Sequence, residues 1–162
     1  MPEIQLSDLK ITKMTSEGWV TAPLSESSYY KSACAIQKQE YKKARDIFMD
    51  YIKDMFLYDE RPKKIHEMSW SRFLGLNNFV KTCGMIQPRH NEIKIDTKLM
   101  IHDGQHRLAI WYALGNENVK VKKFWDKKDI INCRKKHYPI EAKERREQLK
   151  KEREIARNEL KS

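Results

Sequence analysis

The chain has 162 residues, with 33 Lys and Arg against 23 Asp and Glu, a net charge of +10 and 40% apolar content. That length and apolar fraction suit one folded core and exclude a wholly disordered chain. No run nears the roughly 20 apolar residues of a membrane span, and no basic-then-apolar leader follows Met1. The expectation is therefore a cytoplasmic protein without membrane contact.

The first strong periodicity covers residues 41–58. Ala44, Ile47, Phe48, Tyr51, Ile52, Met55 and Phe56 share one helical stripe, while Lys42, Lys43, Asp46, Asp50 and Asp54 lie outside it. This is a scaffold helix, stopped by Arg61-Pro62. A basic connector, residues 61–66, follows. A second helix is expected from Ser69, as its cap, through Phe73, Leu74 and Val80 to Gly84. Strands are expected at 92–95, 98–101 and 119–123, where Ile93, Ile95, Val119 and Val121 alternate with charged residues. Cys34, Cys83 and Cys133 are odd in number and far apart, so they read as reduced structural thiols.

The most informative run is Met100-Ile101-His102-Asp103-Gly104-Gln105-His106-Arg107-Leu108. Leu99 and Ile101 alternate as a strand does; Leu108, Trp111 and Tyr112 have helical spacing, ended by Gly115. Asp103-Gly104 is thus a strand-to-helix turn. Free N–H groups at a helix start favour an anion, and glycine beneath them allows a phosphate oxygen close approach. His106 and Arg107 fall in the first helical turn, one able to donate or shuttle a proton, the other a fork matched to phosphate. Asp103 is placed to cap the helix or to hold a metal or a hydroxyl. On residue types alone, Asp103 as a plain cap, His106 as a surface residue and Arg107 as a carboxylate partner stand as equal alternatives. His102 and His106 are four apart, but the glycine turn between them spoils a zinc-type helical pair.

Gly84-Met85-Ile86-Gln87-Pro88, the polar hairpin that follows, the Asp103-Gly104-Gln105-His106-Arg107 box, and Leu114-Gly115 with Val119 to Val121 occur in that order. Together they resemble the ParB/sulfiredoxin superfamily over roughly residues 69–124, with residues 4–11 matching its first strand. The resemblance implies an α+β domain in which a small mixed sheet packs with helices, spanning residues 1–125. It also implies a nucleotide site in which Gly104, His106 and Arg107 hold phosphates. Asp103 matches the acidic residue of the free serine kinase branch, and Gln105 occupies the variable middle position. Sulfiredoxin keeps its cysteine at the place of Gln105, so sulfinic acid repair is not expected.

The function so implied is an ATP- or ADP-dependent phosphotransferase of kinase type, or a nucleotide hydrolase. Mg²⁺ would be bridged to Asp103, which is also the first candidate for base toward an unknown acceptor. The kinase branch takes a second acid from the N-terminal region, where Glu17 and Glu26 are available and Glu26 ranks first, ahead of Ser27-Ser28-Tyr29. Arg72, in a Ser69-to-Phe73 element, is a further candidate ligand for the nucleotide. Tyr29 and Tyr30 read as packing residues.

Residues 126–162 form a separate basic tail. Residues 120–162 hold 16 basic against 8 acidic side chains, so most of the excess charge lies there. Residues 141–161 read as a charged helix, solvated or pairing weakly into a homodimer through Leu149, Ile155, Ala156 and Leu160. Arg134-Lys135-Lys136-His137-Tyr138 is a basic cluster able to dock nucleic acid phosphates. Two alternatives therefore stand beside the phosphotransferase: a ParB-like DNA-binding or nuclease protein using this tail, and a non-catalytic, nucleotide-switched regulator. Nothing after Val121 resembles a helix-turn-helix.

Overall fold

A computed structural model of the chain describes residues 1–15, 18–55, 63–87, 91–126, 128–130, 132 and 141–161. Glu17, the Arg61-Pro62 stop, Cys133 and the 134–138 basic cluster lie outside the described residues. The architecture is α+β. In chain order, β1 (Glu3–Gln5) is followed by the hairpin β2 (Lys10–Thr15) and β3 (Gly18–Pro23). Helices α1 (Ser28–Gln37), α2 (Tyr41–Met55) and α3 (Lys63–Cys83) come next, then β4 (Lys94–Ile95), β5 (Ile101–Asp103), α4 (Gln105–Ala113), β6 (Asn118–Lys120) and α5 (Glu141–Lys161).

The helices start and stop for local reasons. Ser27 caps α1, its hydroxyl accepting the Tyr30 N–H at 3.0 Å. In α2, Ala44, Phe48, Tyr51 and Ile52 form the buried stripe that the sequence spacing predicts. The Ser32 hydroxyl donates to the Ala44 carbonyl at 2.7 Å, which fixes α1 against α2. Helix α3 starts at Lys63, so Ser69 is an internal residue and not the cap. The basic connector expected at 61–66 is accordingly helical from Lys63 onward. The reason is that the inward face of Trp70, Phe73, Asn77 and Val80 repeats every three or four residues, and no breaker separates it from Lys63. At its far end Gly84 takes φ +78° and its N–H returns to the Val80 carbonyl at 2.8 Å, a glycine stop as read from the sequence.

The small mixed sheet that the resemblance implies is divided. Among the described residues there are three antiparallel pairs: β1 with β6, β2 with β3, and β4 with β5. A parallel bridge between Lys10 and Met100 links the second pair to the third. Strands β1, β4, β5 and β6 are only two or three residues long, and β4 is bulged between Lys94 and Ile95. The core runs from Ile4, Leu6 and Leu9 through Phe48, Phe73, Ile93 and Ile95 to Leu108, Ile110 and Val121. Helix α4 lies in its middle, packed on α1 and α3, with Leu108, Ala109 and Ile110 fully buried. That burial anchors the strand-to-helix turn. No helix of the described residues is long and apolar enough to cross a membrane.

Candidate functional site

Two side chains, Asp96 and His102, build the β4–β5 turn that leads into the box. The Asp96 Oδ1 accepts the N–H groups of Lys98 at 2.8 Å and Met100 at 3.0 Å, and its Oδ2 meets His102 Nε2 at 2.8 Å. Leu99 turns the corner at φ +64°. Burial works against the charge of Asp96, but the His102 ring and the two amides outweigh it and hold the carboxyl below its ordinary value. Asp96 therefore stays ionised and pins one nitrogen of His102.

Strand β5 then passes into α4 through Gly104, which is the helix N-cap at φ +88° and ψ +16°. A Cβ there would lie 2.9 Å from Ile93 Cγ1 and 3.3 Å from Arg107 Nη2. The glycine thus makes room for the protein's own Ile93 and Arg107, rather than only for an approaching phosphate. Asp103 sits one residue before the cap, and no side chain caps the helix, which corrects the reading of Asp103 as the cap. The first intrahelical bond is Leu108 N–H to the Gly104 carbonyl at 3.0 Å, so the helix offers no acceptor to the N–H groups of Gln105, His106 and Arg107.

Arg107 is 8% exposed and largely committed. Its Nη1 donates to the carbonyls of Asn91 at 2.8 Å and Ile86 at 3.4 Å, and its Nη2 to Asn91 Oδ1 at 3.2 Å. Burial lowers its basicity against the pull of Asp103, yet a guanidinium remains charged at any physiological pH. Its first role is to tie residues 86 and 91 to α4. Any ligand meets the nitrogens left over.

His106 points into an aromatic cluster. Its ring lies edge-on to Tyr29 at 4.2 Å and to Phe73 at 5.8 Å between centroids, and its Nε2 is buried without a hydrogen-bond partner among the described residues. Burial pushes its pKa down to about 4, with Asp103 opposing, so the imidazole is neutral near pH 7. This removes the surface-residue alternative, and the ring brings no positive charge to the cavity that His106 lines. The Tyr29 hydroxyl bonds to Tyr51, and burial raises both phenols above their ordinary range.

Around these groups lies a cavity of about 500 Å³, lined by Thr12, Tyr51, Leu76, Asn91 and the whole segment from Ile101 to Arg107. Its size falls within the ~300–1,000 Å³ of small-molecule sites. The structure therefore gathers Asp103, Gly104, Gln105, His106 and Arg107 at one cavity. It does not bring Glu26 or Arg72 there: both are exposed, Glu26 on the 3-10 turn Leu24–Glu26 and Arg72 on α3, and neither lines it.

Asp103 faces Lys94 Nζ at 3.2 Å; Lys94 is 6% exposed, with Trp125 behind it at 5.4 Å from the ring centroid. Among the described residues no three His, Cys, Asp or Glu converge as metal ligands. Asp103, paired to Lys94, is the one carboxylate among the described residues that line the cavity, so a Mg²⁺ bridged to it would take most of its other ligands from substrate phosphates and water.

Sequence reasoning missed Asn91, Lys94 and Tyr51, and considered His102 only as a zinc ligand. Lys94 carried a signal, since it stands between Ile93 and Ile95 in a strand buried on both faces. Tyr51 was legible only as a core position, and Asn91 carried no signal. Comparison of the chain with protein-family models, curated proteins and solved structures returns no match.

Proposed function

We propose that the cavity over the start of α4 binds a nucleoside phosphate and that the protein is an ATP- or ADP-dependent phosphotransferase or nucleotide hydrolase of the ParB/sulfiredoxin type. The observation that carries this reading is the uncapped first turn of α4: Gln105, His106 and Arg107, whose backbone N–H groups find no acceptor within the helix, all line one nucleotide-sized cavity, and the unpartnered Nε2 of His106 is buried beside Tyr29 and Phe73. These donors suit phosphate oxygens. Gln105 adds an amide to the same wall, and the residual donors of Arg107 add charge.

Catalysis in such a site rests on positioning and on charge compensation of the transferring group. Arg107 is fixed by its own carbonyl partners, so it offers its charge without reorganising. Asp103, held by Lys94, raises the basicity of its neighbours His106 and Arg107. Any Mg²⁺ would arrive on the phosphates.

Isothermal titration with ATP, ADP, CTP and GTP tests the reading. Binding of at least one is expected, weakened about tenfold or more in His106→Phe, which keeps the ring packing and removes the nitrogen donor. Absence of heat with all four nucleotides at millimolar concentration would refute it.

A further inference from the structure

The cavity wall carries a second histidine whose setting differs from that of His106. His102 is 28% exposed at its side chain, lines the cavity, and has Nε2 fixed 2.8 Å from Asp96 Oδ2. The other oxygen of Asp96 is held by two backbone amides, so the carboxylate cannot rotate away. An ionised carboxylate on Nε2 places the proton there and leaves the Nδ1 lone pair free, among the described residues, to accept. This is the orienting arrangement of a general base, a nitrogen base aligned by a third group. Asp103 is already engaged by Lys94 Nζ at 3.2 Å, whereas His102 Nδ1 has no partner among the described residues.

We propose that His102, positioned by Asp96, is the proton acceptor for the nucleophile at this site; the inference rests on the nucleotide reading above. The attacking hydroxyl, of water or of an alcohol, gives its proton to His102 Nδ1 as its oxygen bonds to the terminal phosphorus. The bridging P–O bond breaks, its electron pair leaves on the nucleoside diphosphate, and the imidazolium then returns its proton to solvent. His102 is the catalytic residue and Asp96 a positioning residue.

ATP is the probe, with water as acceptor. Titration calorimetry reads binding, and phosphate release at saturating ATP reads turnover. In Asp96→Asn the side-chain carbonyl can keep the Lys98 and Met100 amides while its NH₂ faces the ring. Nε2 must then accept, and the proton moves to Nδ1, where it blocks the base. The expected result is a fall in turnover of about 100-fold or more with nucleotide affinity and melting temperature close to wild type. Ring ¹⁵N spectra should show the proton on Nε2 in wild type and on Nδ1 in the variant. His102→Ala should lose turnover equally and recover part of it with free imidazole, which a merely structural histidine would not.

Binding without phosphate release in the wild type, or wild-type turnover in either variant, would overturn the assignment of the base while leaving the nucleotide site standing. Loss in His102→Ala that imidazole does not rescue would overturn it also. Failure of ATP to bind at all would overturn the nucleotide reading and this inference with it.

Discussion

Gly104→Ala isolates the geometry on which the site depends. Two costs add at this position. An L-residue held at φ +88° costs about 1–2 kcal/mol relative to glycine. The new Cβ also meets Ile93 Cγ1 at 2.9 Å, and Ile93 is 1% exposed, with its Cγ1 close to the backbone and no space to retreat into. Overpacking of that kind costs about 1–3 kcal/mol. Gly115 supplies the control: it has φ +95° but nothing within 4 Å of its Cβ position, so Gly115→Ala should cost only the backbone part, about 1–2 kcal/mol. Urea unfolding followed by circular dichroism should therefore place Gly104→Ala about 2 kcal/mol below Gly115→Ala. In an Ile93→Ala background the contact disappears and that gap should close. If the two alanine variants were equally stable in the wild-type background, or if Ile93→Ala left the gap unchanged, the close packing of glycine against Ile93 would be refuted as the reason for this residue.

Arg107→Lys keeps the charge but replaces a fork that serves three acceptors with a single ammonium; a loss of about 1–3 kcal/mol is expected in denaturant unfolding, and an unchanged midpoint would refute the tie to residues 86 and 91. Lys94→Met should be milder, under about 1 kcal/mol at neutral pH, because Asp103 is 41% exposed at its side chain and can recruit water; a loss above about 3 kcal/mol would mean that the pair is sealed. For His106, the folded-state pKa of about 4 lies below the ordinary 6.5, so the unfolded chain binds the proton first. Stability should fall by up to about 3 kcal/mol as pH drops from 6.5 to about 4, and that slope should flatten in His106→Phe, as followed by thermal melts. An equal slope in the two proteins would remove His106 as its source.

The sequence discloses elements where periodicity is strong and boundaries where a glycine marks them. The α2 stripe, the glycine stop of α3 and the turn from Asp103 into α4 were all legible. The start of α3 was not, because Ser69 has the chemistry of a cap yet lies inside a helix whose inward face is set by Trp70, Phe73 and Val80. The hairpin β2–β3 escaped for the opposite reason. Along Lys10 to Thr15 and Gly18 to Pro23 the six backbone pairs run from Lys10–Pro23 to Thr15–Gly18, and this pairing is not reported by residue types, which show no clean apolar alternation there.

At the site, the box could be read because its residues are contiguous, whereas its partners lie elsewhere in the chain. Ile93, Asn91 and Ile86 decide what Gly104 and Arg107 do, and none of the three announces that role from its own neighbours. This changes the electrostatic argument. A guanidinium free in a helix's first turn would neutralise a triphosphate directly; one that already serves two carbonyls and an amide oxygen supplies charge from a fixed place while its geometry is spent on the protein. With His106 neutral and Lys94 facing Asp103, most of the direct contacts left for phosphate are backbone N–H groups. Such donors are insensitive to side-chain identity, so the proposed phosphate contact would tolerate changes at Gln105. What it cannot vary is Gly104, whose missing Cβ lets the helix begin where those amides line the cavity.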